Sequence, residues 1–137
     1  MMSNAPMFML DTNICIYIQR HKPLSVLARF EALKPGQAVI SVVTWGELLY
    51  GAAKSRQSTL VLKLLDEFTA LVPVLPMPPD CGKTYGQMRA DLEKNGLPLG
   101  NNDLWIAAHA QSLRLTLVTN NAVEFERIPD LKIENWV

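Results

Sequence analysis

The sequence predicts an α/β protein, a parallel sheet covered by helices on both faces. Short apolar runs of strand length alternate along the chain with longer segments whose apolar residues recur at helical spacing. Strand–helix–strand alternation favours parallel pairing, with each crossover laid over a face of the sheet. No repeat, low-complexity stretch, long charge run or Gly/Ser linker divides the 137 residues, so residues 1–137 are expected to form a single domain.

Met7 to Leu10 reads as a buried strand, and Ala38 to Ser41 as a second, entered through the Pro35-Gly36 turn. Leu71 to Leu75, interrupted by Pro73, reads as a weaker edge strand, because proline cannot donate to a ladder. Leu115 to Thr119 has the clearest strand pattern, and Lys132 to Glu134 suits a short last one. Between them, Leu24 to Leu33 sets Leu24, Leu27, Ala28 and Phe30 on one helical stripe, and Val43 to Ala53 does so with Leu48, Leu49 and Ala52. Leu60 to Phe68 aligns Leu60, Leu64, Leu65 and Phe68, while Cys81 to Leu92 aligns Tyr85, Met88 and Leu92. Asp103 to Leu113 is alanine-rich, with Leu104, Ala107, Ala108 and Gln111 in register.

Composition narrows the function classes. The apolar fraction of 49% is that of a packed globular domain, and thirteen acidic residues cancel thirteen basic ones. That balance excludes a polycationic nucleic-acid coat, though not a local basic patch beside an acidic site. Cys15 and Cys81 lack any metal-binding spacing and read as reduced thiols. The stretch Met1 to Met9 is apolar but short, uncharged and followed at once by Asp11; it reads as neither signal peptide nor membrane span, and the protein is expected to be cytoplasmic.

Most of the acids have ordinary explanations. Glu31, Asp66, Glu67, Asp91 and Glu93 lie on amphipathic helices near basic residues, and Asp80 follows Pro78-Pro79, where it suits a helix cap. Asp11, Glu47, Asp103 and Glu124 differ. Asp11 ends the first strand, Glu47 lies one helical turn beyond the second, Asp103 begins the alanine-rich helix, and Glu124 follows the strongest strand. Ligands of parallel sheets bind outside the carboxyl ends of the strands. Carboxylates gathered there repel one another unless a cation is present, and an oxygen-only set without His or Cys suits Mg²⁺ or Mn²⁺. Such ions promote phosphodiester hydrolysis. Each acid also has a structural use: Asp11 can cap a helix starting at Asn13, and Asp103 suits a helix N-terminus by its dipole.

Four segments resemble the VapC toxins of bacterial type II toxin–antitoxin pairs, which are PIN-domain endoribonucleases. They are Leu10-Asp11-Thr12-Asn13-Ile14-Cys15-Ile16-Tyr17, Thr44-Trp45-Gly46-Glu47-Leu48-Leu49-Tyr50-Gly51-Ala52, Gly100-Asn101-Asn102-Asp103-Leu104-Trp105-Ile106-Ala107-Ala108-His109-Ala110, and Leu117-Val118-Thr119-Asn120-Asn121 through Glu124-Phe125. The ending Glu134-Asn135-Trp136-Val137 is similar to one branch of that family. The resemblance implies a three-layer α/β/α fold with a mostly parallel central sheet. It implies Mg²⁺ or Mn²⁺ held by Asp11 and Asp103, with Glu47 as ligand or water-orienting base. Many relatives carry aspartate where this chain has Asn121, so Glu124 or Asn121 completes the site. Thr12, Asn13, Ser41 and Thr119 are candidates for holding waters and carboxylates around it, with ordinary turn and cap bonding as their other use.

The same resemblance implies a translation-inhibiting nuclease acting on RNA, tRNA and initiator tRNA first. It also implies a VapB-type antitoxin filling the acidic groove, operator DNA bound only through that antitoxin, and a homodimer. The apolar surfaces of the Leu24 and Leu60 helices are candidates for the dimer contact. With zero formal charge, substrate phosphates need local cations: Arg20, His21 and Lys22, Lys54 and Arg56, or Arg89 and Lys94. Trp45, Tyr50 and Trp105 are candidates to stack unpaired bases, and His109 reads as a core or interface residue. A catalytically weak PIN domain that binds RNA or a partner is the alternative, made thinkable by Asn121. A receiver domain or a haloacid-dehalogenase phosphatase fits poorly, because position 13 is asparagine where a second acid is required.

Overall fold

The computed structural model describes residues 4–137. Of the N-terminal stretch considered above, residues 1–3 lie outside the described residues. Strand β1 (Phe8–Leu10) leads into α1 (Thr12–Arg20) and α2 (Leu24–Glu31), then β2 (Ala38–Ser41), α3 (Val42–Ala53), α4 (Ser58–Leu71) and β3 (Val74–Leu75). The chain continues through α5 (Asp80–Lys94), α6 (Asn101–Ser112), β4 (Thr116–Val118), α7 (Ala122–Phe125) and β5 (Ile133–Glu134). The sheet order is β3-β2-β1-β4-β5 and every pairing is parallel. The strand order reverses between β1 and β4, which opens a crevice at their carboxyl ends.

Strand alternation sorts the core into two layers. Phe8, Leu10, Ala38, Ile40 and Val118 point to one face, where Ile14, Val26, Leu48 and Phe68 from α1 to α4 cover them. Met9, Val39 and Leu117 point to the other, against Met88, Leu104, Ala107 and Phe125 from α5 to α7. Strands buried on both faces carry apolar residues at successive positions, as the short runs in the sequence do.

Several elements depart from the sequence reading. The reading of a strand from Leu71 is corrected: Leu71 is the last residue of α4, and Pro73 has no N–H to extend the ladder, which leaves Val74–Leu75 as the edge strand. Helix α2 buries Val26 and packs Leu27 and Phe30 partly, while Leu24 is 76% exposed. Helix α4 likewise turns Leu65 and Phe68 inward and leaves Leu60 and Leu64 exposed. Both stripes are therefore rotated, with exposed leucines where core residues were expected. Asp80 lies inside the first turn of α5 and its side chain caps nothing. At the Pro35-Gly36 turn, Gln37 N–H donates to the Lys34 carbonyl at 3.1 Å, and Gly36 takes φ +89°, a conformation that favours glycine. Cys15 and Cys81 are free and buried, as reduced thiols should be. Among the described residues, no helix is long and apolar enough to cross a membrane.

Candidate active site

Asp11 is the first residue after β1 and the N-cap of α1. Its two oxygens have different partners. Oδ1 accepts the Ile14 backbone N–H at 3.0 Å, and Oδ2 accepts the hydroxyl of Thr119, the first residue after β4, at 2.5 Å. Capping and site-building are thus one arrangement: the cap turns the carboxyl over the β1–β4 crevice. Thr119 is fully buried, and its Oγ1 also accepts the Asn121 N–H at 2.9 Å.

Glu47 reaches the same crevice from α3. Its Oε1 accepts the Thr12 hydroxyl at 2.5 Å, and Oε2 lies 3.5 Å from Asn102 Nδ2 at the start of α6. Asp103 sits in the first turn of that helix and is partly buried. Glu124, on α7, accepts from Asn121 Nδ2 at 2.9 Å. The two alternatives for the last position, Asn121 and Glu124, are therefore hydrogen-bonded to each other.

Electrostatics ties these groups together. Burial raises the Asp11 carboxyl above its ordinary range, and the charge of Glu47 adds to the rise. The Thr119 hydroxyl and the backbone N–H groups of Ile14 and Asn13 oppose it. Asp103 is raised too, by burial first and then by the charges of Asp11, Glu47 and Glu124. None of the four carboxylates forms an ion pair with lysine or arginine among the described residues. Two raised carboxyls beside two further acids, with no cationic partner, suit a divalent cation with oxygen ligands. The four do not close to ligand distance of one point: no group of three His, Cys, Asp or Glu among the described residues forms a ready metal cage. Threonine and asparagine side chains bond to oxygens of Asp11, Glu47 and Glu124 instead.

The remaining expected site residues divide. Thr12 and Thr119 bond directly to acids of the cluster. Asn13 presents its backbone N–H to Asp11, and its side chain is exposed. Ser41 makes the cap bond expected as its other use: its Oγ caps α3 by accepting Val43 N–H at 3.1 Å and lies 2.8 Å from His109 Nδ1. His109 is fully buried in α6, which bears out its reading as a core residue. Trp45 packs partly against the first core layer, and Tyr50, 66% exposed, carries Lys54 Nζ at 4.5 Å over its ring. Sequence reasoning passed over Asn102, which adjoins Asp103 in the third segment and was legible only as its neighbour. It also passed over the exposed pairing of Asn120 Nδ2 with the Tyr17 hydroxyl at 2.9 Å.

An all-parallel α/β domain with an oxygen-only acid cluster at the reversal of strand order defines the class of protein. Residues 8–131 match the PIN domain, and the chain belongs to the PIN-domain family, in its VapC branch. It is 45% identical over 129 residues to the tRNA(fMet)-specific endonuclease VapC of Shigella flexneri, covering 94% of this chain and 97% of that protein. It is 42% identical over 130 residues to ribonuclease VapC2 of Haemophilus influenzae, covering 95% and 98%. Among solved structures it is similar to VapBC2 from Rickettsia felis bound to a promoter DNA fragment. That match has TM-score 0.89 and 42% identity, over 96% of this chain and 99% of that one. DNA-bound VapBC from Salmonella typhimurium matches with TM-score 0.90 and 41% identity, over 96% and 99%.

Proposed function

We propose that this chain is a metal-dependent endoribonuclease, the toxin of a toxin–antitoxin pair, and that it cuts tRNA, with initiator tRNA as the first substrate to test. The observation that carries the reading is the meeting of Asp11, Glu47, Asp103 and Glu124 at the β1–β4 crevice, where Asp103 feels the other three charges. The named activities of the VapC relatives support RNA as substrate, and the VapBC complexes support a VapB-type partner. The antitoxin would carry any operator-DNA binding, and we take the working toxin to be a cytoplasmic homodimer.

The oxygen-only donor set fits Mg²⁺ or Mn²⁺; Asp11 and Asp103 would hold it, with Glu47 as ligand or water-orienting base. When bound, the ion supplies Lewis-acid stabilisation of the phosphoryl oxygens and a more acidic water. The protein's own part is to place and hold the oxygens. Thr119 and the α1 N-terminus each take one lone pair of Asp11, one on either oxygen, which fixes the carboxyl's orientation and leaves a lone pair on each. Thr12 holds one oxygen of Glu47, and the other, near Asn102 at the start of α6, would orient water and accept its proton. Glu124, held by Asn121, rather than Asn121 itself, supplies the fourth charge.

The experiment is cleavage of a total tRNA pool by purified protein with Mg²⁺ or Mn²⁺, with the cut ends sequenced. Asp11→Asn, Glu47→Gln and Asp103→Asn should each abolish cutting and leave the circular dichroism spectrum unchanged. A wild-type protein that cuts nothing, or variants that cut as well as wild type, would refute the nuclease. A second reading, a binding module with weak catalysis, rests on the amide at Asn121; it predicts RNA binding without cleavage.

A further inference from the structure

Trp105 stands apart from its neighbours on α6. Leu104, Ile106, Ala107, Ala108 and Ala110 are buried in the second core layer, while Trp105 belongs to neither layer and stays partly exposed. Its indole lies on the ring of Tyr85 from α5, with centroids 3.7 Å apart and planes 7° from parallel. The other close ring pairs are tilted: Phe30 and Phe68 by 31°, Phe8 and Trp136 by 72°. Aromatic pairs that simply fill a core favour such tilted or offset contacts over parallel faces. A flat stack of two partly exposed rings resembles the surface on which a nucleobase adds itself.

The edge of the stack is polar and fixed. The Tyr85 hydroxyl donates to Asn101 Oδ1 and accepts from Arg89 Nη1 at 2.9 Å. Arg89 Nε also donates to Glu93 at 3.1 Å, and half of the arginine side chain is exposed, which leaves guanidinium donors facing solvent. The stack and the acid cluster both draw on the first turn of α6. Along the first turn of α6, Asn101 joins the Tyr85 network, Asn102 reaches towards Glu47 and Asp103 enters the cluster. Trp105 shares its flank of α6 with Asn101, one turn back, while Asp103 stands about 200° round the helix axis from it, so the stack and the carboxylate occupy opposite flanks of the same first turn.

We propose that the Tyr85–Trp105 stack, edged by Arg89, is the platform on which one unpaired base of the RNA stacks while the neighbouring phosphodiester lies at the acid cluster. This rests on the RNA reading above. Every base has a π face, so the stack holds a splayed nucleotide whatever its sequence. Arg89 is held in an exposed ion pair with Glu93, which solvent screens, and its remaining guanidinium donors are the ones offered to a phosphate beside the stack. Tyr85 and Trp105 thereby act as binding residues that set which nucleotide stands beside the cut.

The test measures binding, not cleavage. The full-length protein is titrated against a fluorescein-labelled RNA hairpin with an unpaired loop, with Ca²⁺ replacing Mg²⁺, and read by fluorescence anisotropy. A second set of hairpins carries an abasic ribose at each loop position in turn. Trp105→Ala should weaken binding about ten- to hundredfold, and Trp105→Phe by no more than about threefold. One abasic position should weaken wild type by a similar factor and leave Trp105→Ala no weaker than before. Both variants should keep the wild-type sedimentation coefficient and circular dichroism, since Trp105 lies outside the core layers. The proposal is overturned if the abasic and Trp105→Ala losses multiply at every loop position. It is equally overturned if Trp105→Ala dissociates copies of the chain and leaves RNA affinity intact, which makes the stack a protein contact. A wild type that binds with the expected coupling but cuts no tRNA sinks the nuclease and keeps the platform; one that binds no hairpin sinks the platform.

Discussion

Replacing Thr119 by valine keeps the branched shape of the side chain and removes its hydroxyl. The hydroxyl makes two bonds, donating to Asp11 Oδ2 at 2.5 Å and accepting from Asn121 N–H at 2.9 Å. A hydrogen bond to an ionised group contributes about 1.5–3 kcal/mol, and an N–H left unpaired in a partly buried place costs about 1 more. Thr119→Val should therefore lower stability by about 2.5–4 kcal/mol, or about 8–15 °C in Tm for a chain of this size. In an Asp11→Asn background the same change should cost at least about 1 kcal/mol less, because the charged acceptor is gone. The pH dependence has a definite sign. A carboxyl whose folded pKa lies above its ordinary 3.8, as Asp11's does, adds stability that is complete below that ordinary value and lost as pH rises through the folded one. Without the hydroxyl the carboxyl rises further, so the deficit of Thr119→Val should shrink as pH is lowered towards about 4. Urea denaturation followed by circular dichroism, at neutral pH and near pH 4, measures all three quantities. A loss under about 0.5 kcal/mol with no coupling to Asp11 would show that the hydroxyl does not hold the carboxylate.

Asp103→Asn removes a charge that three other carboxylates oppose, so the metal-free variant should melt above metal-free wild type; Mg²⁺ or Mn²⁺ should raise the wild-type Tm and leave the variant unmoved, as scanning calorimetry with and without EDTA will show. His109 is fully buried and burial lowers its pKa, although the Pro76 carbonyl nearby favours the proton. The folded protein takes up this proton only at a lower pH than the unfolded chain, which takes it below about 6.5, so stability should fall as pH drops through that value, and His109→Gln should flatten this part of the denaturation-versus-pH curve. Trp136 is 3% exposed, meets Phe8 edge-on at 5.4 Å, lies under Arg29 at 5.2 Å and donates to Glu134 at 3.0 Å. Trp136→Ala should cost about 3–5 kcal/mol by urea titration, and a cost under about 1 would show that the C-terminal segment is not part of the core.

The strands after which Asp11 and Thr119 stand, and the order of the four acid-bearing segments, were legible because each rests on a local pattern. Apolar runs bounded by turn residues mark β1, β2 and β4, and an acid just past an apolar run is conspicuous in sequence. Helix α1 was less plain. Ile14, Ile16 and Ile18 alternate with Cys15, Tyr17 and Gln19 in a strand-like period, and only the cap from Asp11 and the packing of Ile14, Cys15 and Ile18 on one face settle it as a helix. The faces of α2 and α4 were misread for a related reason. Helix α2 has apolar residues at 24, 26, 27, 28 and 30 and α4 has five leucines, more than one stripe holds in either, so which of them turn inward depends on what they pack against.

At the acid site the division is sharper. The residue types and their spacing pointed to oxygen chemistry by themselves, since a carboxylate's preference for hard cations is a property of the group. What joins Asp11 to Thr119, Thr12 to Glu47 and Glu47 to Asn102 is the parallel order β2-β1-β4 and the seating of α3 and α6 on opposite layers; only the Asn121–Glu124 bond, three residues long, is local. The first of those bonds spans 108 residues. No local pattern records such a pairing, because burial, repulsion and hydrogen bonding act on distances that exist only once the chain has folded.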